Sequence, residues 1–205
     1  MQLYLVRHGV AAEGGEQMPD GSRVLTGKGR RRFQKTARAF ARLKRRLDLI
    51  LTSPLVRAVQ TAEILACAAD HGEVGALEEL DPKFDVRALR AAMEKRAGKS
   101  RSVALVGHEP QLSSLLALLT GMEAAEFDFK KGAIVRLDVG KEVIPRWWLK
   151  PRGAERVKGL PLRKQAQKKA AAPADKKRKA KKSRSSPASL APRSRPSAAA
   201  EAAAP

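Results

Sequence analysis

Cysteine is nearly absent from this 205-residue chain: Cys67 stands alone. No intrachain disulfide can form. In the apolar pattern AEILACAA, Cys67 is expected as a small core residue of a reducing compartment. Long apolar runs are also missing. No stretch nears the roughly 18 residues of a membrane span, so no membrane partner is expected. The N-terminus shows no basic segment followed by an apolar one, so a signal peptide is not expected and a cytoplasmic location is. No repeat recurs in residues 1–160. Acidic residues are scarce, with 21 Asp and Glu against 42 Lys and Arg, a net charge of +21.

That excess is uneven. From Arg163 onward there are 13 basic residues against Asp175 and Glu201 only, whereas residues 1–162 carry a net +10 with the make-up of a globular domain. The expected organisation is a domain over 1–160 and a tail over 161–205. The tail is built of Lys, Arg, Ala, Ser and Pro, too polar to offset the entropy of ordering, and is expected to be disordered.

Within the domain, strands and helices alternate. Residues 2–6 (QLYLV) read as a buried strand. After a glycine-rich, charged loop, Thr26 is a candidate N-cap for a helix with Phe33, Ala37, Phe40, Ala41 and Leu43 at helical spacing. LDLILTS is a second buried strand. Ser53-Pro54 reads as an N-cap with proline at the first helical position, opening PLVRAVQTAEILACAA. EVGAL suggests a short strand, and Asp85 a cap for VRALRAAMEKRAG. SVALVGH is a strong strand, and PQLSSLLALLTG a helix stopped by Gly121. AIVRLDV and PRWWLK are two late strands. This alternation predicts an α/β three-layer sandwich with a mainly parallel central sheet flanked by helices. A monomer is expected.

In such sheets ligands sit at the carboxyl ends of the strands. Three features fall there: Arg7-His8-Gly9 after the first strand, Ser53-Pro54 and then Arg57 after the second, and Gly107-His108 after SVALVGH. If these strands are neighbours, two arginines and two histidines converge. Such a basic pocket suits a phosphoryl group, because the guanidinium fork matches phosphate oxygens. A first-turn arginine also lies beside helix N-terminal amides, which favour anions. A neutral imidazole can attack phosphorus directly. A hydrogen bond at one ring nitrogen fixes which nitrogen attacks. Nearby cations would lower the histidine pKa and keep the ring neutral. A metal site needs further carboxylate or cysteine ligands. RHGV supplies none and Glu109 stands alone beside His108, so no metal and no cofactor is expected.

LYLVRHG, LTGKG, SPLVRAVQTA and VALVGHEP together resemble the histidine phosphatase superfamily, from residue 1 to about 150. The resemblance implies a phosphoglycerate mutase-like fold, His8 as the phosphorylated nucleophile, and Arg7, Arg57 and His108 around the phosphate. The short interval between Arg57 and His108, with RHGVA, PDGSRVLTGKG and LEELDPKFDV, resembles the SixA-type phosphohistidine phosphatases. That implies a phosphohistidine-bearing protein as substrate, such as a histidine phosphotransfer domain. A small phosphoester or nucleotide is the alternative with the same pocket chemistry. Larger relatives place an acidic residue near Glu78 and Glu79 to protonate the leaving oxygen. A phosphohistidine's leaving nitrogen is protonated easily near neutral pH, so Glu79 is left unassigned.

Other residues have plainer readings. His71 is a loop histidine. Trp147-Trp148 are expected to pack. Arg30, Arg31 and Arg32 read as a solvated helix face that could contact a phosphoprotein. Arg23 lies in PDGSRVLT, which passes the site in relatives, so a substrate contact is open. The tail resembles the basic tails of histone-like bacterial proteins. It suggests non-specific binding of nucleic acid or polyphosphate, without base stacking because it has no aromatic residue.

Overall fold

The chain divides into two units, Met1–Gln167 and Lys168–Pro205. The computed structural model describes residues 1–163 except 17, 44–45 and 71–73. His71 and residues 164–205, on which the tail readings rest, lie outside them.

Among the described residues seven strands form one sheet: β1 (Gln2–Arg7), β2 (Leu49–Thr52), β3 (Val74–Ala76), β4 (Ser102–Gly107), β5 (Ile134–Val139), β6 (Val143–Leu149) and β7 (Arg156–Lys158). Their order is β3-β2-β4-β1-β5-β6-β7. Pairing is parallel from β3 through β2 and β4 to β1, and antiparallel from β1 onward. The sandwich is the expected one, with a mixed sheet whose parallel part carries the carboxyl-edge residues. The three residues of β7 have no extended apolar run to signal them.

Among the described residues four α-helices flank the sheet: α1 (Gly27–Leu43), α2 (Val56–Ala68), α3 (Val86–Ala97) and α4 (Gln111–Thr120). The period-2 alternation of β1 feeds both faces. Tyr4 and Val6 enter one core with Phe33, Phe40, Ala58 and Leu65 from α1 and α2. Leu3 and Leu5 enter the other with Leu89, Met93, Leu112 and Leu116 from α3 and α4. On the first face Tyr4 meets Phe40 edge-on, ring centroids 5.0 Å apart. Trp147 closes the group against Tyr4 and Phe40, while Trp148 packs at the opposite core. Both tryptophans are packing residues.

The helix ends follow their chemistry. The Thr26 hydroxyl accepts from Gly29 N at 2.9 Å, and Asp85 accepts from Arg87 N at 2.7 Å. Gly121 closes α4 in the left-handed region (φ 72°), as a C-terminal glycine does.

Two expectations are corrected. Cys67 is exposed, not core. The buried stripe of α2 runs through Ala58, Ala62, Leu65 and Ala66, and Cys67 falls beyond its edge. Leu43 is 40% exposed, because it ends α1 after the stripe Phe33-Ala37-Phe40 has met the sheet. At the other end of the unit, contacts continue past 160: Leu162 bridges Phe127, and Arg163 donates to the Glu126 and Phe127 carbonyls.

Candidate active site

Because β2, β4 and β1 are consecutive parallel neighbours, their carboxyl ends lie side by side. Arg7 pairs with Gly107 in the β1–β4 register, and Thr52 with Val106 in β2–β4. That register brings His8 and His108 together, with ring centroids 4.9 Å apart and planes inclined by 47°. Both rings are buried, at 6% and 2% exposure. His8 is held by its own backbone: its N–H donates to Gly107 O at 3.0 Å. Gly9 N donates to the buried Thr61 hydroxyl at 3.1 Å, and that hydroxyl donates to Arg57 O at 2.6 Å. One threonine of α2 thus ties the loop after β1 to the turn that presents Arg57.

The His8 tautomer follows from its partner. Nδ1 lies 2.7 Å from Gly9 O. A carbonyl only accepts, so Nδ1 carries the proton and Nε2 keeps its lone pair. Burial holds the ring down to about 3, from the ordinary 6.5. The His108 ring adds to this, as do the charges of Arg57 and Arg7, against the Gly9 hydrogen bond. His108 is lowered to about 4, first by burial and then by Arg57. The sequence suggested that cations would keep these histidines neutral; removal from water is the larger cause.

His108 Nε2 lies 2.9 Å from the Ser53 hydroxyl. The same hydroxyl accepts from Leu55 N at 3.3 Å, so its proton is available to His108 Nε2, and in that arrangement the His108 proton sits on Nδ1. This corrects the helix-start reading. Ser53-Pro54 forms a turn, Leu55 stays extended (ψ 133°), and α2 begins at Val56. Ser53 is drawn to the histidine rather than to the helix's amides. Among the described residues His108 Nδ1 and Arg7 Nε are buried without a hydrogen-bond partner. Buried orphans of this kind are costly and call for a partner.

Arg7 anchors itself through Nη1 to Phe129 O at 2.6 Å. Burial lowers its pKa, opposed by Glu109 and Asp128. Arg57, 5% exposed, lies in the first turn of α2. Its fork is engaged by one residue that the sequence did not single out: Nη1 donates to Asp20 O at 2.6 Å and Nη2 to Asp20 Oδ2 at 2.8 Å. Arg23 takes the other carboxylate oxygen at 2.7 Å and donates Nε to Ala12 O. Arg23 therefore reaches the site through Asp20. The Arg23 hydrogen bond is the main cause that holds the Asp20 carboxyl below its ordinary value.

Glu109 caps the start of α4, and the Glu79 backbone braces Gln111. Glu109 accepts from Ser113 N and Ser113 Oγ in the first turn of α4, and burial raises its pKa. Glu79 is engaged through its carbonyl, which accepts from Gln111 Nε2 at 2.7 Å. Among the described residues no group of three or more His, Cys, Asp or Glu is arranged to hold a metal ion. Among them also, no helix is long and apolar enough to cross a membrane.

Comparison with known proteins agrees with this architecture. The model of the histidine phosphatase superfamily (branch 1) matches residues 3–83. An uncharacterized protein of Picosynechococcus is 37% identical over 142 residues, 68% of this chain and 86% of its own. The phosphohistidine phosphatase SixA of Escherichia coli is 28% identical over 163 residues, 78% of this chain and 100% of its own. The solved structure of the protein histidine phosphatase SixA complexed with tungstate superposes with a TM-score of 0.68 at 26% identity, covering 76% of this chain and 100% of that one. With its parallel β2-β4-β1 edge and the paired histidines at the strand ends, the chain belongs to the histidine phosphatase superfamily.

Proposed function

We propose that this protein is a phosphohistidine phosphatase acting on phosphorylated proteins, with His8 as the covalent nucleophile and Arg7, Arg57 and His108 holding the phosphoryl group. The observation that carries this is the His8 tautomer: Nδ1–H is spent on the Gly9 carbonyl, which leaves Nε2 as a buried, neutral nucleophile.

In the first step the Nε2 lone pair forms a bond to phosphorus, and the bond from phosphorus to the substrate's imidazole nitrogen breaks. The leaving nitrogen keeps that electron pair and takes a proton from water. Arg7 Nε and His108 Nδ1–H, both without partners, donate to the phosphoryl oxygens as charge develops on them. Ser53, donating to His108 Nε2, keeps that proton on Nδ1. In the second step a water oxygen attacks phosphorus, the P–Nε2 bond breaks, and the pair returns to His8. One of that water's protons stays on the hydrogen phosphate; the other passes to bulk water and replaces the proton that the leaving nitrogen took in the first step.

A protein substrate is supported by the full-length similarity to a relative named phosphohistidine phosphatase. It is also supported by the short interval between Arg57 and His108, which among the described residues holds the rest of α2, β3, one 3-10 turn (Glu78–Leu80), α3 and β4. No carboxylic acid is needed for a leaving imidazole, so Glu79 is given no role in this step. The test is turnover by the full chain of a phosphorylated histidine phosphotransfer domain against a panel of sugar, nucleotide and amino-acid phosphomonoesters. A kcat/KM for the phosphoprotein orders of magnitude above every monoester is expected. A monoester that outruns it assigns the pocket to small phosphoesters.

A further inference from the structure

Arg7 also lines a cavity of about 500 Å³ whose walls include neither histidine. It is lined by Arg7, Val10, Arg32, Lys130, Lys131, Pro151 and Arg152, five cations and no carboxylate. A neighbouring cavity of about 300 Å³ shares Arg32, Pro151 and Arg152 and adds Lys28, Arg31 and Lys35. The residues come from α1, from the turn before β5 and from the turn after β6, so the fold assembles them. On α1, Lys28, Arg31, Arg32 and Lys35 stand at i, i+3, i+4 and i+7, a single stripe. Its span is about 10 Å at 1.5 Å per residue. It lies beside, not on, the buried face Gly29, Phe33, Thr36, Ala37 and Phe40. Among the described residues the only ion pair within this set is Lys130 with Asp128, at 2.7 Å. Among the described residues the other lysines and arginines of the set form no ion pair, although Glu109 and Asp128 act on Arg7 through space.

A phosphoryl group gripped by Arg7 leaves the rest of its substrate beside this ground. We infer that Lys28, Arg31, Arg32, Lys35, Lys131 and Arg152 form a docking track for the acidic surface around the phosphorylated histidine of a protein substrate. This rests on the phosphohistidine phosphatase reading. A single second phosphate on a small molecule would use the cavity at Arg7 but leave the α1 stripe idle. Single-stranded nucleic acid is disfavoured because no aromatic side chain lines either cavity for base stacking. Carboxylates need only cationic forks and points, which the track supplies. Complementary charge of this kind raises encounter rates and fixes orientation.

The test reverses charge in the outer stripe, Arg31→Glu with Lys35→Glu, in the full chain. Both side chains are exposed and neither lines the cavity at Arg7. The substrates are phosphoramidate, which reports the phosphoryl pocket and an intact fold, and an acidic phosphorylated histidine phosphotransfer domain. Phosphoramidate turnover should be unchanged. KM for the phosphoprotein should rise about tenfold or more at low ionic strength, with kcat held and the gap closing at high salt. Polyglutamate should inhibit phosphoprotein turnover by the parent and lose that effect in the double variant. Equal phosphoprotein kcat/KM in parent and variant overturns the track while leaving the enzymatic reading intact. A parent that consumes phosphoramidate but no phosphohistidine protein overturns both. If a DNA oligonucleotide, and not polyglutamate, depends on Arg31 and Lys35 for inhibition, the stripe serves nucleic acid and the protein-docking role falls.

Discussion

Arg57 gives both terminal nitrogens to Asp20, one to its backbone oxygen and one to its carboxylate. The most buried arginine of the site is thus already paired with an anion, on a side chain that is itself 64% exposed. An incoming phosphoryl group meets that carboxylate's charge and shares Arg57 with it. Asp20→Asn keeps the backbone acceptor and removes the charge. Inhibition by tungstate or phosphate is expected to tighten roughly 1.5- to 5-fold, the scale of one exposed charge. Unchanged or weaker inhibition would place Asp20 outside the field of the pocket.

Arg7→Ala and Arg57→Ala are each expected to lower kcat/KM by about 100- to 1000-fold, as removal of one preorganised donor from a charge-stabilising site does. Far-ultraviolet circular dichroism should stay native, because Arg7 ends β1 and Arg57 lies in the first turn of α2, and neither belongs to either core. Rates within a few-fold of the parent in both variants would show that phosphate binds elsewhere.

The buried histidines make stability depend on pH with a definite sign. Folded His8 and His108 titrate near 3 and 4, whereas in the unfolded chain each titrates near 6.5. Below about pH 6.5 the unfolded state binds more protons, so stability falls as pH drops toward 4. The stabilising share of these rings is fully present above 6.5. Urea unfolding of the parent should lose stability steeply over pH 6.5 to 4, and His8→Gln with His108→Gln should flatten that slope. Identical slopes in the two proteins would contradict the neutral, buried pair.

Gly29 sets how closely α1 approaches the loop that carries His8. A Cβ there would collide with the Val10 carbonyl, which accepts from Thr26 N at 3.0 Å. Neither backbone can move freely, so Gly29→Ala is expected to cost about 1–3 kcal/mol, the scale of forced overpacking. Activity should fall with it. Gly15→Ala, where nothing lies within 4 Å of the added atom, is the control. Equal denaturation midpoints for the two would contradict the close approach.

Much of this site was legible in the sequence because strand-end placement is a property of short apolar runs. LYLV, LILT and VALVG each stop at a polar residue, and a parallel sheet brings those stops to one edge. That places Arg7, His8, Arg57 and His108 within one region before any contact is known. Asp20 was not legible, since a loop aspartate in PDGSR looks like any turn residue until the loop folds over α2. Ser53 gave a misleading signal for the same reason. Ser-Pro before an apolar stretch marks a helix start, but the partner that claims the hydroxyl, His108, lies 55 residues away. Cys67 was misjudged because AEILACAA is apolar on nearly every face, so its pattern could not show which face meets the sheet. The antiparallel half of the sheet was legible only as two separate strands, because register and direction depend on pairings between distant segments.

The account turns on His8 Nε2 as the atom that receives the phosphoryl group. The most direct measurement is brief exposure of the full chain to a radiolabelled phosphohistidine protein, followed by denaturing quench and peptide mapping. The account predicts an acid-labile, base-stable label on the peptide containing Arg7-His8-Gly9, absent from a folded His8→Ala variant. Label that persists in His8→Ala, or that maps to another residue of the parent, would contradict it.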